Sequence, residues 1–117
     1  MHVPAKEDTV HMVDAKALAQ MRDGVYLVNT CRGAVVDTAA LVEALRGGKV
    51  AGAALDVHEQ EPLPADHPLR SMDNVILTPH MAYYSEESTR EARRQTCENL
   101  VRFFKGRRRS AGWSSGG

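Results

Sequence analysis

Three short apolar runs, at residues 25–28, 50–57 and 75–77, each stop abruptly in polar residues, and this triple pattern constrains the fold more than any other feature. The first run is nearly continuous (Val-Tyr-Leu-Val), which suits a parallel strand covered on both faces better than an alternating, half-solvated one. Asn29, Thr30 and Gly33 break it, Asp56 lies in the end of the second, and Thr78, Pro79 and His80 stop the third. Between the runs lie helix-like or proline-broken stretches. Such alternation predicts an α/β fold, a partial Rossmann-like (doubly wound) parallel sheet of about three strands with right-handed connections and flanking helices. Ligands collect beyond the carboxyl ends of strands in such sheets, so polar residues there are the first candidates for function.

The connecting stretches carry their own signals. Val3 before Pro4 favours an extended start, and residues 6–9 are turn-like. Asp14 is placed to cap a helix over 15–21, with Leu18 and Met21 facing a core and Gly24 closing it as a left-handed cap. Asp37 caps a second helix over 38–46, where Leu41, Val42 and Leu45 form one stripe ended by Gly47 and Gly48. Pro62, Pro64 and Pro68 turn residues 58–72 into a long connection with at most a helical turn near 68–72, and loops of that length in compact domains are usually functional. Residues 85–104 form the longest helix, opened by Ser85 and Ser88, with Ala92, Cys97, Leu100, Val101 and Phe104 on a docking face that takes Cys97 into the core. Residues 107–117, with three arginines followed by Ser and Gly, have no periodicity and are expected to be a disordered tail behind a domain spanning 1–106.

Charge and composition exclude several classes. Fifteen basic and fifteen acidic residues give a net charge of zero, so no global field favours nucleic acid or an anionic membrane. No apolar stretch approaches the roughly 20 residues of a membrane span, and residues 2–8 lack a signal sequence. The two cysteines, Cys31 and Cys97, have no metal or redox spacing; reduced thiols and a cytoplasmic location are the expectation. His58, Glu59, Glu61, His67 and His80 form no compact ligand triad, so no metal is expected.

Four strand-end residues remain: Arg32, Asp56, Glu61 and His80. Individually each has a plain structural explanation, as a turn arginine, a turn cap, a solvated loop acid and a carbonyl-bonding histidine. Together they describe carbonyl reduction. An arginine fork holds a carboxylate, a glutamate orients an imidazole, and the imidazole gives a proton to a carbonyl oxygen as hydride arrives from a cofactor.

The runs Asn29-Thr-Cys-Arg-Gly-Ala-Val-Val-Asp37, Gly52-Ala-Ala-Leu-Asp-Val-His-Glu-Gln-Glu-Pro62 and Asn74-Val-Ile-Leu-Thr-Pro-His80 resemble, in order and spacing, the C-terminal signatures of NAD-dependent D-isomer-specific 2-hydroxyacid dehydrogenases. The resemblance covers residues 2–106 and is strongest toward the phosphoglycerate dehydrogenase and C-terminal binding protein-like branch. It implies that Arg32 holds the substrate and that Glu61 and His80 form the acid–base pair. It implies further that Asp56 binds the nicotinamide carboxamide and that Thr30, Cys31, Arg32, His80 and Ala82 line the cofactor site. Pro4 and Thr9 would lie beside the adenosine half, and Tyr83 in the substrate pocket. The implied cofactor is NAD, with NADP left open, and the implied partner is a small 2-keto or 2-hydroxy acid; family members are commonly homodimers. No G-x-G-x-x-G follows any strand, so the pyrophosphate cradle is not in these 117 residues. The chain is therefore expected to be the C-terminal half of a dinucleotide-binding domain, inactive alone. A corepressor-like dinucleotide-sensing module, suggested by Tyr83-Tyr-Ser-Glu86, and a nonfunctional truncation product stand as alternatives.

Overall fold

A computed structural model of the chain describes residues 1–106, which fall into two compact units, Met1–Ala82 and a second beginning at Tyr83. The arginine-rich tail expected at 107–117 lies outside the described residues.

The first unit holds helix α1 (Ala15–Gln20), strand β1 (Val25–Asn29), helix α2 (Thr38–Arg46), strand β2 (Val50–Leu55) and strand β3 (Val75–Leu77). The three strands form one parallel sheet in the order β1-β2-β3. Asp14 caps α1 by accepting from the Ala17 amide at 2.8 Å, and Asp37 caps α2 by accepting from Ala40 at 3.0 Å. Helix α2 has the bounds its stripe predicts, with Leu41, Val42 and Leu45 buried. Helix α1 ends earlier than expected. Met21 leaves it in an extended conformation, and Gly24, at φ +74°, serves the turn into β1, where its amide donates to Lys49 O at 3.0 Å.

The core lies on one face of the sheet. Leu27, Ala53 and Leu55 pack with Leu18, Leu41, Val42 and Leu45 of the two helices and with Leu63 and Leu69 of the long connection. The opposite face is open: Tyr26 is 75% exposed, Val28 53% and Ile76 67%. That corrects the expectation that β1 is covered on both sides. Every helix of this unit's core packs against the same face, so an apolar run marks only half of the burial here.

Between β2 and β3 the chain runs through the proline-rich connection and a 3-10 turn at Pro68–Ser71, as the prolines predict. Arg70 ties it down, donating from Nε to Pro64 O at 2.8 Å and from Nη2 to Leu63 O at 2.6 Å. In the second unit, helix α3 (Glu86–Phe104) opens with a reciprocal cap between Ser85 and Ser88. Cys97 is exposed rather than in a core, and no residue of α3 is buried. The first three turns of α3 are dominated by Glu86, Glu87, Arg90, Glu91, Arg93 and Arg94, which interrupt any continuous apolar stripe.

Candidate active site

The carboxyl end of β1 is shaped by Asn29, whose side chain is almost wholly buried. Its Oδ1 accepts from the Cys31 amide at 3.1 Å and from Cys31 Sγ at 3.0 Å, while Nδ2 donates to Arg32 O at 3.0 Å. One amide thereby folds the chain into a tight turn, the local chemistry for which asparagine is suited. Thr30 and Arg32 sit exposed on that turn and Cys31 is buried beneath it. The Arg32 guanidinium turns back to donate from Nη1 to Cys31 O at 2.7 Å.

At the end of β2, Asp56 gathers the start of the segment after β3. Its Oδ1 accepts from Thr78 Oγ1 at 2.5 Å and from the Met81 amide at 2.8 Å, and Oδ2 accepts from the Ala82 amide at 2.8 Å. Its own carbonyl takes the His80 amide at 2.8 Å. Burial pushes the Asp56 carboxyl up, but the Thr78 hydroxyl and the Ala82 and Met81 amides outweigh it and leave the group below the usual carboxylate range.

Clasped this way, His80 adopts φ +53° and points Nδ1 at Glu61 Oε2, 2.9 Å away. Glu61 is steadied from its own loop, Oε1 accepting from the His58 amide at 2.9 Å. The His80 hydrogen bond, followed by that of the His58 amide, holds Glu61 below the ordinary glutamate range. Glu61 and His80 line a cavity of about 370 Å³ with His58, Arg70, Leu77 and Thr78. With Nδ1 engaged, Nε2 is the nitrogen left to meet a ligand.

Asp56, Glu61 and His80 are thus brought together, and Ala82 joins them through its amide. Arg32 is not among the residues lining that cavity. Pro4 and Thr9 meet each other, Thr9 Oγ1 donating to Pro4 O at 2.7 Å. Tyr83, 74% exposed, opens the second unit, and its carbonyl accepts from Ser88 Oγ at 2.8 Å. Among the described residues no group of three metal-ligating side chains is found. Sequence reasoning passed over His11 altogether and saw in Glu59 only a loop acid; the two lie 2.9 Å apart.

A parallel α/β sheet with a histidine–glutamate pair and a turn arginine at its carboxyl ends defines a Rossmann-like nucleotide-binding class. Residues 1–82 match the D-isomer specific 2-hydroxyacid dehydrogenase, NAD binding domain, and the chain belongs to that family. It is 48% identical over 106 residues to a glyoxylate reductase of Thermofilum pendens, covering 91% of this chain and 31% of that protein. It is 43% identical over 106 residues to a D-3-phosphoglycerate dehydrogenase of Archaeoglobus fulgidus, covering 91% of this chain and 20% of that one. Among solved structures, D-lactate dehydrogenase with NAD+ from Lactobacillus jensenii superposes with a TM-score of 0.89 at 34% identity, covering 97% of this chain and 38% of that chain. A D-isomer specific 2-hydroxyacid dehydrogenase from Xanthobacter autotrophicus in complex with NADPH gives 0.79 at 43% identity, covering 92% and 43%. The chain therefore spans between a fifth and under a half of the length of these relatives.

The residues present fit one half of a dinucleotide. Thr30 and His80 are exposed just past the ends of β1 and β3, and Asp56 has about one of its four acceptor positions left after Thr78, Met81 and Ala82. The Ala82 amide is already engaged, so its carbonyl is the group it can offer a ligand.

Proposed function

We propose that this chain supplies the nicotinamide side of the cofactor site and the acid–base pair for reduction of a small 2-keto acid to its D-2-hydroxy acid. The observation that carries the reading is the 2.9 Å contact between His80 Nδ1 and Glu61 Oε2 at the carboxyl end of a parallel sheet. Glu61 fixes the imidazole so that Nε2 faces the keto oxygen and gives it a proton, and solvent restores that proton afterwards. The Arg32 fork binds the substrate carboxylate once it exchanges Cys31 O for the anion, a stronger, charge-assisted partner. NADH or NADPH, when bound, supplies the hydride to the keto carbon. Asp56 holds the His80 segment in place and, with Thr30, Cys31 and Ala82, borders the nicotinamide, while Pro4 and Thr9 lie toward the adenosine half. The unpaired thiols of Cys31 and Cys97 fit the cytoplasmic location we assign it.

A graft tests this. Residues 1–106 replacing the matching segment of the Lactobacillus enzyme are expected to support NADH-dependent pyruvate reduction, and His80→Gln in the graft is expected to lower kcat about 100-fold or more. Undiminished turnover in that variant refutes the proton-donor role. Calorimetric NADH binding by a graft that never turns over favours the dinucleotide-sensing alternative instead.

A further inference from the structure

The loop that carries Glu61 is gripped from behind by a second histidine–glutamate pair. Glu59 Oε2 meets His11 Nε2 at 2.9 Å, and Glu59 Oε1 accepts from the Thr38 amide at 2.6 Å. Thr38 opens α2, where the first amides have no partner inside the helix; Asp37 takes the amide of Ala40, so Glu59 takes one that the cap does not reach. A carboxylate at that end also meets the positive pole of the helix. His11 is itself fixed, at φ +51°, with its amide donating to Ala34 O at 2.8 Å. Between these anchors the loop backbone lies hard against Gly33: a Cβ there would stand 2.0 Å from both His58 C and His58 O.

We propose that His11 and Glu59 are positioning residues, a latch between the His11 turn, the start of α2 and the 58–62 loop that sets where Glu61 can reach His80. The loop is tied at one end through Glu59 and at the other through Glu61, whose Oε1 is already occupied by the His58 amide next to Glu59. Releasing Glu59 leaves the Gly33 contact as a pivot, and the Glu61 carboxyl loses its fixed distance to the imidazole. The role rests on reading Glu61 and His80 as the acid–base pair. The charged groups around His11 are Glu59, Asp37 and Asp14, and the Glu59 hydrogen bond is the foremost cause that raises its pKa.

The test needs no turnover, so its failure is distinct from failure of the catalytic reading. Side-chain carboxyl ¹³C NMR titrations of the whole chain follow Glu61, with Asp23, paired to Lys49 at 2.6 Å, as a remote reference. In Glu59→Gln the Glu61 midpoint is expected to rise by about half a pH unit toward the ordinary glutamate value while Asp23 stays put. The sign is decisive. Removing a neighbouring negative charge by itself moves Glu61 downward, so only loosening of the contacts that hold it low, those with His80 and with the His58 amide of the same loop, raises it. An unchanged or lowered Glu61 midpoint overturns the latch. Should Asp23 move as well, showing general loss of structure, His11→Gln decides on the same terms, since that side chain is 45% exposed and its replacement leaves the core intact.

Discussion

Asp56 carries three donors on one buried carboxylate, and its loss reaches further than a single contact. Asp56→Asn keeps the shape but offers one acceptor oxygen, so at least one of Thr78, Met81 and Ala82 then faces an amide nitrogen instead. Hydrogen bonds to a charged group contribute about 1.5–3 kcal/mol each, and the variant is expected to lose about 2–3 kcal/mol at pH 7. The folded-state pKa of Asp56 is lowered. Its stabilisation is therefore complete above the unfolded-state value near about 4 and is lost as pH falls through the lower folded one. Urea unfolding of both proteins should show the gap at pH 7 narrowing steadily below about pH 4. A gap of constant size across that range means the carboxylate is not the source of the difference.

At the scale of elements, the decisive approach is between the 3-10 turn Gly33–Val35 and the loop that begins at His58. Gly33 has no room for a side chain because the atoms in the way, His58 C, His58 O and Glu59 N, are all backbone. Gly33→Ala is expected to cost about 3 kcal/mol by forcing the loop outward, about 12 °C or more in Tm. Gly47→Ala is the control. That residue has helical dihedrals, φ −78° and ψ −3°, and its nearest obstacle is Glu43 O at 3.4 Å, so the change should be neutral or slightly stabilising. Similar Tm losses in both variants exclude the close approach as the cause. Local rules made α2 legible, since a cap, a stripe and a glycine all fall within a dozen residues. They also misjudged its neighbours: β2 was expected to continue to residue 57 but ends at Leu55, where Asp56 turns to collect donors from beyond β3. Of the four strand-end residues grouped from the sequence, Asp56 and His80 were readable because topology sets the ends of β2 and β3 side by side, whereas Glu61 reaches them through its loop and Arg32 does not line the same cavity. The His11–Glu59 pair was not, because nothing periodic links residues 48 positions apart.

Across the whole first unit, one layer of helices covers one face of the sheet, and the other face is an aligned apolar surface. The register places Val28 beside Ala54 and Ala54 beside Ile76. The same register sets Tyr26 beside Gly52, and a Cβ on Gly52 would stand 3.1 Å from Tyr26 Cε1, so the ring lies over bare backbone. Exposed aligned residues of this kind favour association with other apolar surface or with unpaired strand edges. Val28→Thr with Ile76→Thr keeps β-branched side chains and so preserves strand preference while making the face polar. Because both positions are more than half exposed, the pair should leave Tm within about 2 °C of the parent. Light scattering against concentration should show association beginning several-fold later. A fall in Tm of many degrees would mean that these side chains are buried in solution, and an unchanged onset would mean that the open face does not drive association.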